Sequence, residues 1–337
     1  MSEFLYLHSL QQAMHRILAE DERAVVLGED ILDPYGGAFK VTSGLSTRFP
    51  ERVWTTPISE AAIVGIANGM ALRGLHPVVE IMFGDFITLA ADQIVNHAAK
   101  FAAMYNNRVS VPLVIRTPMG GGRGYGPTHS QSLEKLFLGV PHLTVIAPSL
   151  FHDPGECLYQ AVVRDPTPVL FIEHKLLYPT RLLRPGEHTA LRIETWDTAT
   201  AYPTMLVHNY ERGEPDVVLI TYGGTSRLLP ELLRDLRDEE IRVSAVLPAL
   251  LQPLPIEAMV ELAGRAGRVV VVEDGVEGFG WSSEVAVRVY ERLGKALHAP
   301  IARVAARPTV IPASALLEAE VLVGRDDIEQ AIWQVLY

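Results

Sequence analysis

Runs of consecutive apolar residues alternate with amphipathic stretches along the first half of the chain. The apolar runs predict buried strands at residues 24–28, 78–82, 111–116, 143–147 and 169–173. Helical periodicity predicts helices at 60–73, 86–104 and 154–164, and a first helix carrying Leu7, Leu10, Met14, Ile17 and Leu18. Continuous apolar strands separated by helices are typical of a parallel sheet that is covered on both faces.

The alternation stops near residue 182 and restarts near residue 215. The stretch between is rich in Arg, Glu, Thr and Pro, and it predicts a linker with at most a short strand. Beyond it we expect strands at 216–222, 242–247, 268–273 and 301–304, with helices at 225–237, 256–265, 280–293 and 326–336. The predicted fold class is therefore α/β, with two parallel-sheet-based three-layer domains at 1–185 and 215–337, joined by a linker at 186–214.

Composition narrows the range of partners. The 337 residues are 48% hydrophobic and 20% charged, with a formal net charge of −11. An acidic surface argues against nucleic acid or an anionic membrane as the main partner. No apolar run approaches the ~20 residues that cross a bilayer, and the N-terminus lacks a secretory pattern, so we expect a cytoplasmic protein. The single cysteine, Cys157, is expected to be a buried thiol.

The segment Trp54-Thr55-Thr56-Pro57-Ile58-Ser59-Glu60 marks the end of a strand and the start of a helix. Pro57 breaks the strand, and Ser59 is expected to cap the helix that follows. Glu60 falls in the first helical turn, where the helix dipole favours an anion. Local physics alone thus describes Glu60 as a carboxylate of the capping region.

A glycine-rich stretch, Gly120-Gly121-Gly122-Arg123-Gly124-Tyr125-Gly126-Pro127-Thr128-His129-Ser130-Gln131, follows the predicted strand 111–116. At the carboxyl edge of a parallel sheet it would lie where open α/β sheets bind ligands. It lacks the Lys-Ser/Thr ending of a nucleotide P-loop. His129 changes charge near neutral pH, so it is a candidate site residue, with a surface histidine as the alternative.

Small residues follow one face of the helix after Glu60. Gly65 and Gly69 lie four residues apart, and alanines accompany them. Such a face allows another helix to approach closely. It indicates either tight packing within the domain or a subunit interface.

Five motifs appear in a fixed order: Gly28-Glu29-Asp30, Thr56–Glu60, Phe83-Gly84-Asp85-Phe86, Gly126–Ser132 and Phe171–Tyr178. In this order and spacing they resemble the beta subunit of 2-oxo acid dehydrogenases, the family of the pyruvate, branched-chain and acetoin enzymes. The resemblance covers nearly the whole chain. It implies a domain that binds the pyrimidine of thiamine diphosphate, followed by a transketolase C-terminal-like domain.

The resemblance also implies roles for individual residues. Glu60 would exchange a proton with the aminopyrimidine ring, Phe86 would stack on that ring, and Glu29 would lie beside the cofactor. His129 would face the bound 2-oxo acid. A potassium ion, found in many members, would here be held by Leu113, Val162, Val163, Asp165 and Thr167.

One expected motif is missing. Thiamine enzymes hold the diphosphate through Mg²⁺ with a Gly-Asp-Gly motif, but Gly84-Asp85-Phe86 lacks the second glycine and Glu273-Asp274-Gly275 lacks the first. The resemblance therefore implies an alpha subunit that holds Mg²⁺, in an α2β2 assembly. Departures at 195–212 and 308–313 leave open whether the assembly docks on a lipoyl acyltransferase core.

These observations predict oxidative decarboxylation of a 2-oxo acid with acyl transfer to lipoamide, and no activity without the alpha subunit. One alternative is the C-terminal half of a split transketolase, which moves a ketol unit between sugars. Another is a non-catalytic partner that stabilises an alpha subunit. The His129–Ser132 and Glu173–Tyr178 segments favour the dehydrogenase, and the presence of Glu60, Phe86 and His129 argues against a scaffold.

Overall fold

The computed structural model describes residues 4–187, 190–197 and 200–337. It forms two compact units. The first comprises the chain up to Met119 together with Leu136–Ile146 and Asp153–Leu182. The second comprises Gly120–Lys135, Ala147–His152 and the chain from Leu183 onward.

The first unit is built on a parallel sheet. Its strands are β1 (Ala24–Gly28), β2 (Val53–Thr55), β3 (His76–Glu80), β4 (Val114–Met119), β5 (Thr144–Ile146) and β6 (Val169–His174). They lie in the order β5-β6-β4-β3-β1-β2, and each neighbouring pair is parallel. Every residue of β1, β3, β4 and β6 is buried, so both faces of this sheet are covered.

The helices of this unit are α1 (Tyr6–Glu20), α2 (Leu45–Arg48), α3 (Glu60–Leu72), α4 (Ala99–Met104) and α5 (Pro154–Val163). The helix α1 buries Leu10, Met14, Ile17 and Leu18, as its periodicity predicts, whereas Leu7 in its first turn is only half-buried. In α5, Cys157 is buried, and burial raises the pKa of its thiol well above the ordinary value. A thiol held in the neutral form in this way is a packing group.

The helix predicted over 86–104 is present as a continuous helical stretch, but much of it is not α-helical. A 3-10 segment at Gly84–Ala90 comes first, residues 91–92 are α-helical, a π-helical turn at Gln93–Ala98 follows, and α4 ends the stretch. The hydroxyl of Thr88 donates to the Asp85 carbonyl at 2.9 Å. Such a side-chain bond competes with regular helical hydrogen bonding, and alanine-rich periodicity does not reveal it.

The second unit contains a mixed sheet. The strands of this unit are β7 (Arg192–Thr195), β8 (Thr204–His208), β9 (Val217–Ile220), β10 (Val243–Pro248), β11 (Leu250–Gln252), β12 (Val269–Val276) and β13 (Ala302–Ala306), of which β11 does not belong to the mixed sheet. Six of them form the order β13-β12-β9-β10-β8-β7, in which β8 is antiparallel to both neighbours. The helices are α6 (Leu229–Asp238), α7 (Ile256–Ala266), α8 (Trp281–Leu293), α9 (Ala315–Ala319) and α10 (Arg325–Leu336).

Two features of the second unit differ from the sequence prediction. The stretch 186–214, expected to hold at most a short strand, contributes both β7 and β8 as the antiparallel edge of the sheet. The edge strand β7 is only partly buried, so it shows no sustained apolar run. The glycine-rich stretch lies within Gly120–Lys135 and groups with this second unit, although the predicted boundary places it in the first domain.

The two α/β units confirm the predicted fold class. Within the described ranges, each helix is too short or too polar to span a lipid bilayer.

Candidate active site

Glu60 begins α3 and is buried, with 5% of its surface exposed. It lies in the first unit, directly after β2 and the Pro57 break. Ser59 occupies the N-cap position, but among the described residues its side chain makes no capping hydrogen bond, so its predicted capping role is wrong. Its backbone N–H instead donates to the Glu29 carboxylate. The segment before the helix is thus held by a second acid.

Glu29 directly follows β1 and is also buried. Burial, and then the negative charge of Glu60, raises the pKa of Glu29 above its ordinary value. Two buried carboxylates that influence each other are typical of a site that handles protons. The structure therefore brings together Glu60 and Glu29, two of the predicted site residues.

One oxygen of this pair and one oxygen near it lack a hydrogen-bond partner. Oε1 of Glu29 and Oγ1 of Thr56 are buried and have no hydrogen-bond partner among the residues that the structure describes. The backbone N–H of Thr56 donates to the Gly28 carbonyl at 3.1 Å, which holds Thr56 beside the end of β1. Buried polar groups usually have partners, so these two atoms indicate a place for a polar ligand. Sequence reasoning did not assign Thr56 a role of its own.

Phe86 is half-buried in the 3-10 segment and belongs to a row of aromatic rings. Its centroid lies 6.1 Å from that of Phe83 in an edge-on arrangement, and Phe83 lies 5.8 Å from Phe39. Phe39 in turn stacks on Tyr178 at 5.0 Å. Within this row the Phe86 ring packs against Phe83.

A buried ion-pair network lies in the sheet of the first unit. The Arg116 guanidinium donates to Glu173 at 2.7 and 2.8 Å and to Glu80 at 2.8 Å. The Tyr178 hydroxyl donates to Glu173 at 2.6 Å. Glu173 and Tyr178 come from the Phe171–Tyr178 motif, so this part of the motif has a structural role. In the sequence, the network is indicated by one charged residue in each of two buried strands, Arg116 in β4 and Glu80 in β3.

His129 belongs to the second unit, in the loop that follows the glycines. It is half-buried, and its Nδ1 lies 3.1 Å from the Thr128 hydroxyl. Its backbone N–H is 3.4 Å from the Gly126 carbonyl. His129 therefore lies in a compact turn that is closed by this backbone contact.

The predicted potassium ligands lie near the end of α5. Val162 and Val163 form the last turn of that helix, where carbonyl groups point away from the helical bonds. The Val169 N–H donates to Leu113 O at 2.8 Å, and Asp165 accepts from the Thr167 N–H and hydroxyl at 2.9 and 2.6 Å. These groups offer oxygen donors, the type that hard cations prefer. Across residues 4–187, 190–197 and 200–337, no cluster of three His, Cys, Asp or Glu side chains is arranged to hold a metal.

Comparison with known proteins matches both halves of the chain. Residues 3–181 match the family described as transketolase, pyrimidine binding domain, and residues 208–328 match the transketolase, C-terminal domain. The 2-oxoisovalerate dehydrogenase subunit beta of Bacillus subtilis (strain 168) is 36% identical, covering 98% of each chain.

Two further relatives show the same pattern. Pyruvate dehydrogenase E1 component subunit beta-1, mitochondrial, of Arabidopsis thaliana is 33% identical, covering 98% of this chain and 88% of that protein. The subunit beta of acetoin:2,6-dichlorophenolindophenol oxidoreductase from Cupriavidus necator is 34% identical, covering 92% and 90%. Among solved structures, a split gene transketolase described as an inactive beta4 tetramer aligns with a TM-score of 0.70 at 20% identity, covering 97% of each chain. At that identity the likeness concerns the fold alone.

Proposed function

Because this chain belongs to the family of beta subunits of 2-oxo acid dehydrogenases, we propose that it binds the aminopyrimidine end of thiamine diphosphate and supplies Glu60 as its proton partner. The observation that carries this proposal is a buried carboxylate at the start of α3, near a second acid, Glu29, that has one unsatisfied oxygen, and near the unsatisfied hydroxyl of Thr56. These groups fit a ring that carries both donors and acceptors of hydrogen bonds.

Each residue has a distinct proposed task. Thiamine diphosphate, when bound, supplies the electron sink for decarboxylation of a 2-oxo acid. Glu60 holds or releases a proton at the ring nitrogen, a contribution typically worth ~10²–10⁴ in rate. Phe86 offers an aromatic face to the ring, and Glu29 and Thr56 offer polar atoms to its edge. His129 moves a proton at the 2-oxo acid.

The reaction we propose is oxidative decarboxylation with acyl transfer to lipoamide. The relatives' names support this class, since they are subunits of 2-oxoisovalerate and pyruvate dehydrogenases and of an acetoin oxidoreductase. Among the individual proteins compared, the split-transketolase alternative is supported by a solved structure at 20% identity, a likeness of fold alone. A purely structural partner would have no use for the buried, unsatisfied polar atoms around Glu60.

An alpha subunit is proposed to complete the site by holding the diphosphate and Mg²⁺, since the chain has no Gly-Asp-Gly motif. The exposed face of α3 supports such a partner. Ile66 is 53% exposed, and a Cβ placed on Gly69 would meet nothing within 4 Å. Gly65 differs, because its Cβ would lie 3.2 Å from Gln93 Oε1 and thus packs within the chain. We therefore favour a subunit interface for the outer part of this face.

Three further assignments stay predictions. Potassium would be held by the oxygens at the end of α5 and by Leu113, Asp165 and Thr167. A lipoyl acyltransferase core would receive the assembled enzyme. The cytoplasmic location rests on the sequence alone.

Reconstitution tests the proposal. We expect the purified chain to be inactive alone and to decarboxylate 2-oxo acids once a Gly-Asp-Gly alpha subunit, thiamine diphosphate and Mg²⁺ are added. A panel of 2-oxo acids and sugar phosphates separates dehydrogenase from transketolase chemistry. Activity from the single chain, or activity with sugar phosphates only, would contradict the proposal.

A further inference from the structure

The glycine-rich loop is held by a carboxylate far away in sequence. Glu318, in α9, accepts the backbone N–H of Gly122 at 2.9 Å and that of Gly124 at 2.8 Å. Glu318 is almost completely buried, with 2% exposed. Gly122 and Gly124 have φ angles of 87° and 67°, in the left-handed region that favours glycine. Both amides therefore turn toward one side chain of the same unit.

The loop packs directly against the segment that carries Glu318. A Cβ on Gly121 would lie 2.7 Å from Leu322 Cδ1 and 3.1 Å from Glu318 Oε1. A Cβ on Gly124 would lie 3.1 Å from the Ala313 carbonyl oxygen. These glycines are thus explained by close approach to residues 313–322. Glu318 occupies the amides that an anionic ligand would otherwise use.

The segment that follows His129 in the chain is also held by hydrogen bonds. The Ser132 hydroxyl donates to the Asp274 carboxylate. The Lys135 ammonium donates to the carbonyls of Val276 and Gly278 at 2.9 and 3.0 Å. Asp274 and the carbonyls of Val276 and Gly278 therefore hold the C-terminal end of this loop. His129 lies between the two anchored ends.

We propose that Glu318 is a positioning residue, which fixes the glycine-rich loop through the amides of Gly122 and Gly124 and thereby sets the position of His129. The part that concerns His129 rests on the proposed function. Charge-assisted hydrogen bonds to backbone amides are among the stronger ones, and a glycine-rich segment has much conformational freedom to lose. Without the carboxylate, the loop would sample many conformations. A displacement of about 1 Å at a reacting group can lower the rate by up to about 10²-fold.

Glu318→Gln tests the two hydrogen bonds from Gly122 and Gly124 to this side chain, with little change in its shape. A glutamine can accept from one amide only, and its NH₂ group then faces the other N–H donor. Glu320→Gln is the matched control, because Glu320 lies two residues further on and its side chain is 70% exposed. Glu318→Asp, which keeps the charge on a shorter side chain, serves as a milder variant should the glutamine variant fail to fold.

The first readout is hydrogen exchange of the full-length chain, followed on peptides that cover residues 120–126. We expect Glu318→Gln to speed exchange there by roughly tenfold or more, Glu318→Asp to give an intermediate value, and Glu320→Gln to match the wild type. Unchanged exchange in this loop in the Glu318 variants would overturn the proposal. This readout needs no catalytic activity, so it is independent of the proposed function.

The second readout is kinetics of the reconstituted enzyme. We expect kcat to fall by about 10–10²-fold in Glu318→Gln, while the Kd of thiamine diphosphate stays near the wild-type value because Glu60 and Phe86 lie in the first unit. Faster exchange with unchanged kcat would refute the positioning of His129. A parallel loss of cofactor binding would indicate general structural damage and would also refute it. A wild-type enzyme without activity would count against the proposed function and leave the exchange result standing.

Discussion

Arg116 and Glu173 form a two-bond ion pair inside the first unit, with N–O distances of 2.7 and 2.8 Å and almost no exposure of either side chain. The two residues are 57 positions apart and lie in the neighbouring strands β4 and β6. Glu80 of β3 also accepts a hydrogen bond from the Arg116 guanidinium, at 2.8 Å. The network ties the three neighbouring parallel strands β3, β4 and β6 together.

Replacing Arg116 by Met is expected to lower the free energy of unfolding by about 3–5 kcal/mol, because two buried carboxylates lose their counter-charge. Arg242→Met is the control. Arg242 also forms a close pair, with Asp216 at 2.8 Å, but the two side chains are 44% and 32% exposed. That exposed pair should contribute only about 0–1 kcal/mol. Urea unfolding of both variants measures the difference, and equal losses would contradict a structural role for the buried network.

Glu134 is predicted to make stability depend on pH. Burial raises the pKa of Glu134 to about 7, the hydrogen bond from Tyr222 opposes this, and the negative charge of Asp274 adds to it. The folded protein thus holds this proton more tightly than the unfolded chain does. The resulting stabilisation is complete below the ordinary pKa of about 4.5 and is lost as the pH rises toward 7.

The variant Glu134→Gln keeps the shape and cannot ionise. Between about pH 5 and about pH 8 we expect the wild type to lose stability relative to this variant by on the order of 3 kcal/mol. Thermal or urea unfolding across that range provides the measurement, with Glu320→Gln as an exposed control. A constant difference between the wild type and Glu134→Gln would show that this carboxyl does not titrate in the window.

Phe86→Leu is expected to weaken binding of thiamine diphosphate by roughly 2–10-fold, since a ring contact is worth about 0.5–1.5 kcal/mol beyond its area. At saturating cofactor, kcat should change little. Phe101→Leu makes the same chemical change at a ring in α4 that stacks on Tyr105, the residue after that helix. Calorimetric titration of the reconstituted enzyme checks the prediction, and identical affinities in the two variants would argue against stacking by Phe86.

Regular elements could be predicted well from the sequence. The strand β1 has the predicted bounds, and α3 begins at Glu60 as expected, because apolar runs and a proline break act locally. The helix over 86–104 was predicted, but its 3-10 and π-helical segments were missed because side-chain bonds such as that from Thr88 to Asp85 leave no trace in helical periodicity. The edge strand β7 was missed because it is short and only partly buried, and β8 was missed because its apolar run is only three residues long, Met205 to Val207.

The candidate site depended on a different kind of information. Local physics described Glu60 only as a helix-start carboxylate, and the order of five motifs gave it a chemical role. The hydrogen bonds from Gly122 and Gly124 to Glu318 join residues 196 and 194 positions apart, and no local signal encodes such a contact. The unsatisfied oxygens of Glu29 and Thr56 likewise become visible only when the buried atoms are placed.

The most direct test of the account is Glu60→Gln in the enzyme reconstituted with an alpha subunit. Glutamine preserves size but cannot exchange the proton, so kcat should fall by about 10²–10⁴-fold while the complex still assembles. Glu156→Gln, at a side chain that is 50% exposed, should leave kcat unchanged. A Glu60→Gln enzyme that assembles and keeps kcat within about twofold of the wild type would contradict the role of Glu60 as the cofactor's proton partner.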